Sequence, residues 1–65
     1  MFTLVEEPKG ETLLSAFRAL DDAFGTEEFS EGQGVSAISL SLEVDDSKAV
    51  ELLKNLARRG CIQED

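Results

Sequence analysis

The side chains of this 65-residue chain that could carry out catalysis are its paired carboxylates and its serines. Asp21–Asp22 and Asp45–Asp46 are adjacent pairs, and adjacent side chains diverge on a helix or act as caps instead of sharing a metal ion or a proton. No serine has a histidine to activate it, because the chain contains none. The segment Gly32–Gly34 lacks the lysine and the third glycine of a phosphate-binding loop. We therefore expect a protein that is not an enzyme and holds no cofactor.

Metal binding and membrane insertion are also not expected. Cys61 is the only cysteine, so the chain cannot form an internal disulfide and, without histidine, has no Cys/His zinc site. Its expected role is that of a small buried hydrophobic residue after a helix. No apolar run approaches the roughly 20 residues that span a bilayer, and the N-terminus is acidic where a signal peptide would be basic. These features predict a single cytoplasmic domain, residues 1–65, with no metal ion and no membrane partner.

Four of the six basic residues lie in one short segment near the C-terminus, where they could contact nucleic acid. Between Ser47 and Gly60 the net charge is +3, so the rest of the chain carries −11 and the whole chain −8. If this segment is a helix with its leucines buried, its exposed side presents cationic and polar groups that suit DNA. The candidates for contacts with base edges are Ser47, Lys48 and Asn55. The candidates for contacts with phosphates are Lys54, Arg58 and Arg59.

The acidic balance of the chain favours a different partner, a basic protein. A net charge of −8 repels phosphate backbones at long range, and Asp45 and Asp46 would point close to them. Cations in the last turn of a helix also have a structural reason to be there, because they complement the helix dipole. Phe29 and Leu40 are the candidates for a protein interface, although for Phe29 we first expect a plug that pins its loop to the core. Contact with DNA and docking to a protein both stay open.

The elements that must position these residues begin with a short strand and a helix. Phe2–Val5 alternates between two faces, as a strand does. Glu11–Phe24 has apolar residues at spacings of three and four, which predicts a helix that Thr12 caps and Gly25 ends. Residues 26–34, with three glutamates and two glycines, are expected to form a loop.

The segment Val35–Val44 fits two kinds of structure. Residues Ile38–Val44 alternate between apolar and polar, which is typical of a strand. As a helix, the segment leaves Leu40 near the outside and puts the small Ser39 where a crossing helix could approach closely. We favour the helix, because an acidic break and a well-capped helix follow.

Asp45–Arg59 is predicted to be the last helix. Asp45, Asp46 or Ser47 can each cap it, and its leucines form a buried stripe. Gly60 ends it, and the apolar residues that follow are expected to pack back on the core.

Two segments resemble parts of winged helix-turn-helix regulators. Residues 38–48, ISLSLEVDDSK, are similar to the second helix and the turn of that family. Residues 50–62, VELLKNLARRGCI, are similar to its recognition helix and the exit from it, where a double leucine leads to a basic pair, a glycine and an apolar pair. With Glu11–Phe24 as the first helix, the resemblance covers roughly residues 11 to 62. It implies a three-helix domain whose last helix meets DNA.

The chain departs from the family pattern in three places. Glu43 stands where the family often has glycine, and Leu40 falls at a position that is usually polar. The chain ends at Asp65, so we expect no complete two-stranded wing after the last helix. Cys61–Gln63 can form one short strand, which we expect to pair with Phe2–Val5 or with a second copy of the chain.

The sequence thus predicts a mostly α fold, a three-helix winged-helix-like domain with a short N-terminal strand. If Ile38–Val44 is a strand instead, the fold is α+β with the order strand, helix, strand, helix. We predict a small regulatory module that contacts DNA through the helix 47–59, as a dimer because one copy has few cations. The alternative is an acidic protein-interaction module on the same scaffold with no nucleic-acid binding.

Overall fold

Helices account for most of the chain in the computed structural model, which describes all of residues 1–65. The elements in chain order are β1 (Phe2–Leu4), α1 (Glu11–Phe24), α2 (Glu31–Leu42), α3 (Asp46–Arg58) and β2 (Ile62–Glu64). The prediction of a mostly α fold with a short N-terminal strand is therefore confirmed. The alternative order with a central strand is wrong, because residues 38–42 belong to α2.

The two ends of the chain meet in a two-stranded antiparallel sheet. β1 pairs with β2 in the register that sets Thr3 opposite Gln63. The pairing continues past the strands, since the Val5 N–H donates to the Cys61 carbonyl at 2.8 Å. The expected partnership between the N-terminal strand and the residues after the last helix is confirmed, and it forms within one chain.

Phe29 lies on the side of β1 that β2 leaves open. Its backbone forms a reciprocal pair of hydrogen bonds with Phe2, at 2.7 and 3.0 Å. Its ring stacks on those of Phe2 and Phe24, with centroids 5.9 and 4.7 Å away, and has no exposed surface. The predicted role as a plug is confirmed. The ring presents no surface to a partner in this conformation, so its predicted place at a protein interface stays a prediction without support from the fold.

α1 has the predicted bounds, but the residue that caps its N-terminus is not the predicted one. Its N-cap is Gly10, which has no side chain to accept from the free N–H groups. Thr12, the predicted cap, lies inside the first turn, so that prediction is wrong. Gly25 ends the helix with a φ of +58°, and its N–H donates to the Asp21 carbonyl at 2.8 Å. The side of α1 that faces the core consists of Leu13, Ala16, Phe17, Ala19 and Leu20.

α2 begins at Glu31, four residues before the predicted helical segment, and thus includes part of the predicted loop. Ser30 is its N-cap, and its hydroxyl accepts from the Gln33 N–H at 3.1 Å. The Gln33 side-chain oxygen accepts from the Ser30 N–H at 2.9 Å, which completes a capping box. Residues 31–34 are therefore helical, and the prediction of a loop there is wrong.

Gly34 lies at a close approach between α2 and the rest of the core. A Cβ atom on this glycine would lie 3.0 Å from the Phe29 ring and 3.3 Å from the Leu53 side chain. The sequence had suggested Ser39 for such an approach, whereas the structure places it at Gly34. Around this point the largest fully buried side chains are Phe29, Leu20, Ile38, Leu53 and Leu56.

Candidate nucleic-acid interface

The candidate interface is built on the three-residue turn, residues 43–45, that joins α2 to α3. Glu43 is left-handed, with φ +56° and ψ +46°. The Ser39 carbonyl accepts from the Glu43 N–H and, at 3.2 Å, from the Val44 N–H. The Ser39 hydroxyl donates in turn to the Val44 carbonyl at 2.7 Å. Ser39 thus holds the first two residues of the turn, Glu43 and Val44, against the end of α2.

Asp45 is the residue that caps α3. Its Oδ1 accepts from the Lys48 N–H at 2.8 Å, and its carbonyl accepts from the Ala49 N–H at 3.0 Å. Of the three predicted caps, the structure selects Asp45. A carboxylate at this position also suits the positive end of the helix dipole. The helix therefore begins at Asp46 and not at the predicted residue 45 or 47.

The six predicted DNA-contacting residues lie on one side of α3, opposite its apolar stripe. At 100° per residue they fall within an arc of about 140°, and the buried residues lie across the helix axis. Asn55 is half-buried, and the other five are exposed: Ser47, Lys48, Lys54, Arg58 and Arg59. The buried stripe is Ala49, Leu52, Leu53 and Leu56, and it contacts the core.

The cations on this side of α3 are mostly unpaired. Lys48 lies 3.9 Å from the carboxylate of Glu51, and both side chains are about half exposed or more. Exposed pairs of this kind contribute about 0–1 kcal/mol, so Lys48 is free to exchange its partner. Lys54, Arg58 and Arg59 form no ion pair. The C-terminal half of α3 therefore presents three available cations.

Outside α3, the residues that the sequence analysis discussed as possible interface or metal-binding positions are Leu40, Cys61 and the acidic side chains. Leu40 keeps 78% of its surface exposed, as predicted, and is the most exposed large apolar residue of the chain. Cys61 is free and buried. No three acidic or cysteine side chains are grouped so that they could hold a metal ion. None of the helices has both the length and the apolar composition needed to cross a bilayer.

Sequence reasoning missed one feature of this site, the role of Ser39 in the turn. A serine followed five residues later by a half-buried valine carries no distinctive sequence signal, because the bond depends on the left-handed residue between them. The glycine-like position of Glu43 could be anticipated only from the family resemblance.

Comparison with protein-family models, with curated proteins and with solved structures found no match to this chain. The similarity to winged helix-turn-helix regulators therefore stays a prediction from the residues quoted above.

Proposed function

We propose that this protein is a non-enzymatic regulatory module that contacts DNA through α3 and acts as a dimer. The observation that carries the proposal is the row of exposed cations on the side of α3 opposite the core. A helix that follows a fixed three-residue turn and points such a row outward has the form required for entry into a major groove.

The distribution of charge supports this surface over the rest of the molecule. Residues 19–47 contain eight acidic residues and no basic one, so they account for the whole net charge of −8. The remaining residues hold six acidic and six basic side chains. Four of those six cations lie between Lys48 and Arg59. The negative charge is therefore concentrated in residues 19–47, mostly before α3. The exposed side of α3 is the part of the surface where a phosphate backbone meets least repulsion.

The dimer follows from the small number of cations. Each copy offers four cations on or next to α3, and one of them is shared with Glu51. Affinity for a duplex at physiological salt depends on the number of phosphates neutralised. Two copies that present α3 to successive turns of the major groove would double that number and span about 34 Å of duplex.

A mobility-shift titration against mixed-sequence duplex DNA, at low and at moderate salt, tests the proposal. We expect a shift at low salt that Lys54→Glu and Arg58→Glu each abolish. Arg18→Glu is the matched control, because it reverses one exposed cation on α1, whose only ion pair is a contact with Glu7 at 3.8 Å, and it should leave the shift unchanged.

The outcomes distinguish whether the protein binds DNA at all from whether it does so through α3. If the unaltered protein does not shift DNA at low salt, the proposed function is wrong. If it does so and the two α3 variants shift DNA equally well, the function stands but α3 is not the contact. Sizing the protein with and without DNA tests the dimer, which a strict monomer on DNA would contradict.

A further inference from the structure

The edge of β1 that faces away from β2 has one residue whose backbone is not paired. Alternate residues of a strand in an antiparallel pair direct their N–H and C=O groups toward the partner strand. Val5 donates to the Cys61 carbonyl on the β2 side, so Phe2 and Leu4 direct their backbone groups to the opposite side. There Phe2 exchanges two hydrogen bonds with Phe29, whereas no group of the protein pairs with Leu4.

The chain itself does not fill the position next to Leu4. A strand that continued from the Phe2–Phe29 pair would bring Glu27 opposite Leu4. The Glu27 N–H instead donates to the Phe24 carbonyl at 2.9 Å, because the chain turns there at the end of α1. A groove of about 620 Å³ remains, which we call the β1 groove. Its lining consists of residues 3–7 and of Phe17, Asp21, Gly25 and Thr26.

The β1 groove carries only negative charge. Glu6, Glu7 and Asp21 line it, and no basic residue does. The nearest ion pair joins Glu7 to Arg18 at 3.8 Å, and because both side chains are more than 60% exposed it is weak and can exchange partners. The C-terminal end of α1 adds the negative end of a helix dipole, with no basic residue in its last turn. The groove therefore attracts a cationic ligand and repels a phosphate backbone.

The unpaired backbone of Leu4 restricts the kind of cationic ligand. A metal ion or a small amine could meet the carboxylates, but it would leave the Leu4 N–H without an acceptor. A helix has already used its own N–H and C=O groups, so it cannot add to a strand edge. A second copy of this chain is a poor fit, because β1 and β2 contain no Lys or Arg. An extended peptide with basic side chains satisfies both the edge and the charges.

We propose that the β1 groove binds an extended, lysine- or arginine-containing segment of a partner protein, which adds to the sheet at Leu4. One residue of the segment exchanges two hydrogen bonds with Leu4, as Phe29 does with Phe2. Basic side chains next to it contact the carboxylates of Glu6 and Asp21. The proposal does not depend on DNA binding, because no residue of α3 lines the groove.

A titration of the isotope-labelled protein with a capped pentapeptide of alternating lysine and valine tests the docking. We expect amide shift changes in residues 3–7 and at the end of α1, and slower exchange of the Leu4 amide with solvent. The matched peptide has the same side chains and charge, but all its backbone nitrogens are methylated. It cannot donate to the Leu4 carbonyl, so it should bind about fivefold more weakly or worse.

Two double variants of the protein locate the contact. Glu6→Gln with Asp21→Asn removes two carboxylates that line the groove, and it should weaken peptide binding by about fivefold or more. Asp22→Asn with Glu43→Gln is the matched control, because it removes two carboxylates that do not line the groove. It should change the affinity by less than about twofold. All four side chains are exposed, so neither variant removes core packing.

Several results would overturn the proposal. Equal affinity for the methylated peptide would show that charge alone holds the ligand and that no strand forms at Leu4. Equal effects of the two double variants would show a general attraction to an acidic protein. Shift changes confined to other elements, or no shift changes at all, would show that the β1 groove does not bind an extended basic segment.

Discussion

The backbone of Glu43 is the clearest case of strain at a single residue. It is the only non-glycine residue with positive φ, at +56°, and its side chain is exposed without an ion pair. The left-handed conformation costs an L-residue roughly 1–2 kcal/mol, and glycine avoids this cost. Part of the gain is lost, because glycine also makes the unfolded chain more flexible and so raises the entropy cost of folding. We expect Glu43→Gly to raise the free energy of unfolding by about 0.5–1 kcal/mol. Urea denaturation measures this, with Glu43→Ala as the control that removes the charge and keeps the strain.

An increase in stability from Glu43→Ala equal to that from Glu43→Gly would show that charge repulsion with Asp45 and Asp46, and not the backbone, is being relieved. The distinction matters for the turn, because only a backbone effect agrees with the glycine-like position that the family resemblance assigned to Glu43.

Gly34 and Gly32 should respond in opposite directions to the same substitution. At Gly32 a Cβ atom would meet only the Ser30 hydroxyl at 4.0 Å, so Gly32→Ala should stabilise α2 by about 0.5–1 kcal/mol. At Gly34 it would lie 3.0 Å from the ring of Phe29, which is fully buried and stacked on Phe2 and Phe24, so there is little room for the ring to move away. Overpacking costs typically 1–3 kcal/mol, so Gly34→Ala should destabilise the protein despite the gain in helix propensity. Thermal denaturation of the two variants provides the comparison, and stabilisation by Gly34→Ala would contradict the close packing.

At the scale of elements, α1 and α3 could be predicted from sequence because each has a wide apolar stripe and a clear end. α1 ends at Gly25 as expected, and α3 begins at one of the acidic caps. α2 could not be delimited, because its first turn contains two glycines and its apolar residues do not form one stripe. Its true start signal was Ser30 with Gln33 three residues later, a capping box that the glycines obscured. Packing of Ile38 and Gly34 against the core decides in favour of the helix, and local propensity does not show such contacts.

The start of α2 can be tested through its cap. Ser30→Ala removes the hydroxyl that accepts from Gln33, and loss of such a cap costs typically about 1 kcal/mol. We expect the variant to lose that amount of stability and to lose helical chemical shifts over residues 31–34. Ser36→Ala is the matched control, because the Ser36 side chain is exposed inside α2 and makes no hydrogen bond, so its replacement by alanine should stabilise the helix slightly. Equal losses from both variants would argue against a helix that begins at Ser30.

The exposed cations of the candidate site could be predicted from the sequence, whereas the burial of Phe29 could not. The exposed positions of Lys54, Arg58 and Arg59 follow from the leucine stripe of α3, since residues between buried positions must face outward. The burial of Phe29 depends on its pairing with Phe2, 27 residues earlier in the chain. No local pattern encodes such a contact, so sequence alone left Phe29 divided between the core and a surface.

At the scale of the whole molecule, cations and carboxylates are concentrated in different segments of the chain. Four of the six cations lie on α3 or at Arg59 directly after it, whereas α2 carries no charge after Glu31. The fixed turn at Glu43 joins the two helices and keeps these segments in a constant relation.

The salt dependence of DNA binding gives the most direct measure of how many cations the whole dimer uses. Two copies place up to eight cations of the segment Lys48–Arg59 near phosphates, which predicts a slope of log K against log salt no steeper than about −7. Lys54→Gln removes one cation from each copy, so the slope should become shallower by about 2. Arg18→Gln removes an exposed cation on α1 and should leave the slope unchanged. If Arg18→Gln changes the slope and Lys54→Gln does not, the duplex lies against another part of the molecule. A decrease of about 1 for Lys54→Gln would indicate that only one α3 of the dimer contacts DNA.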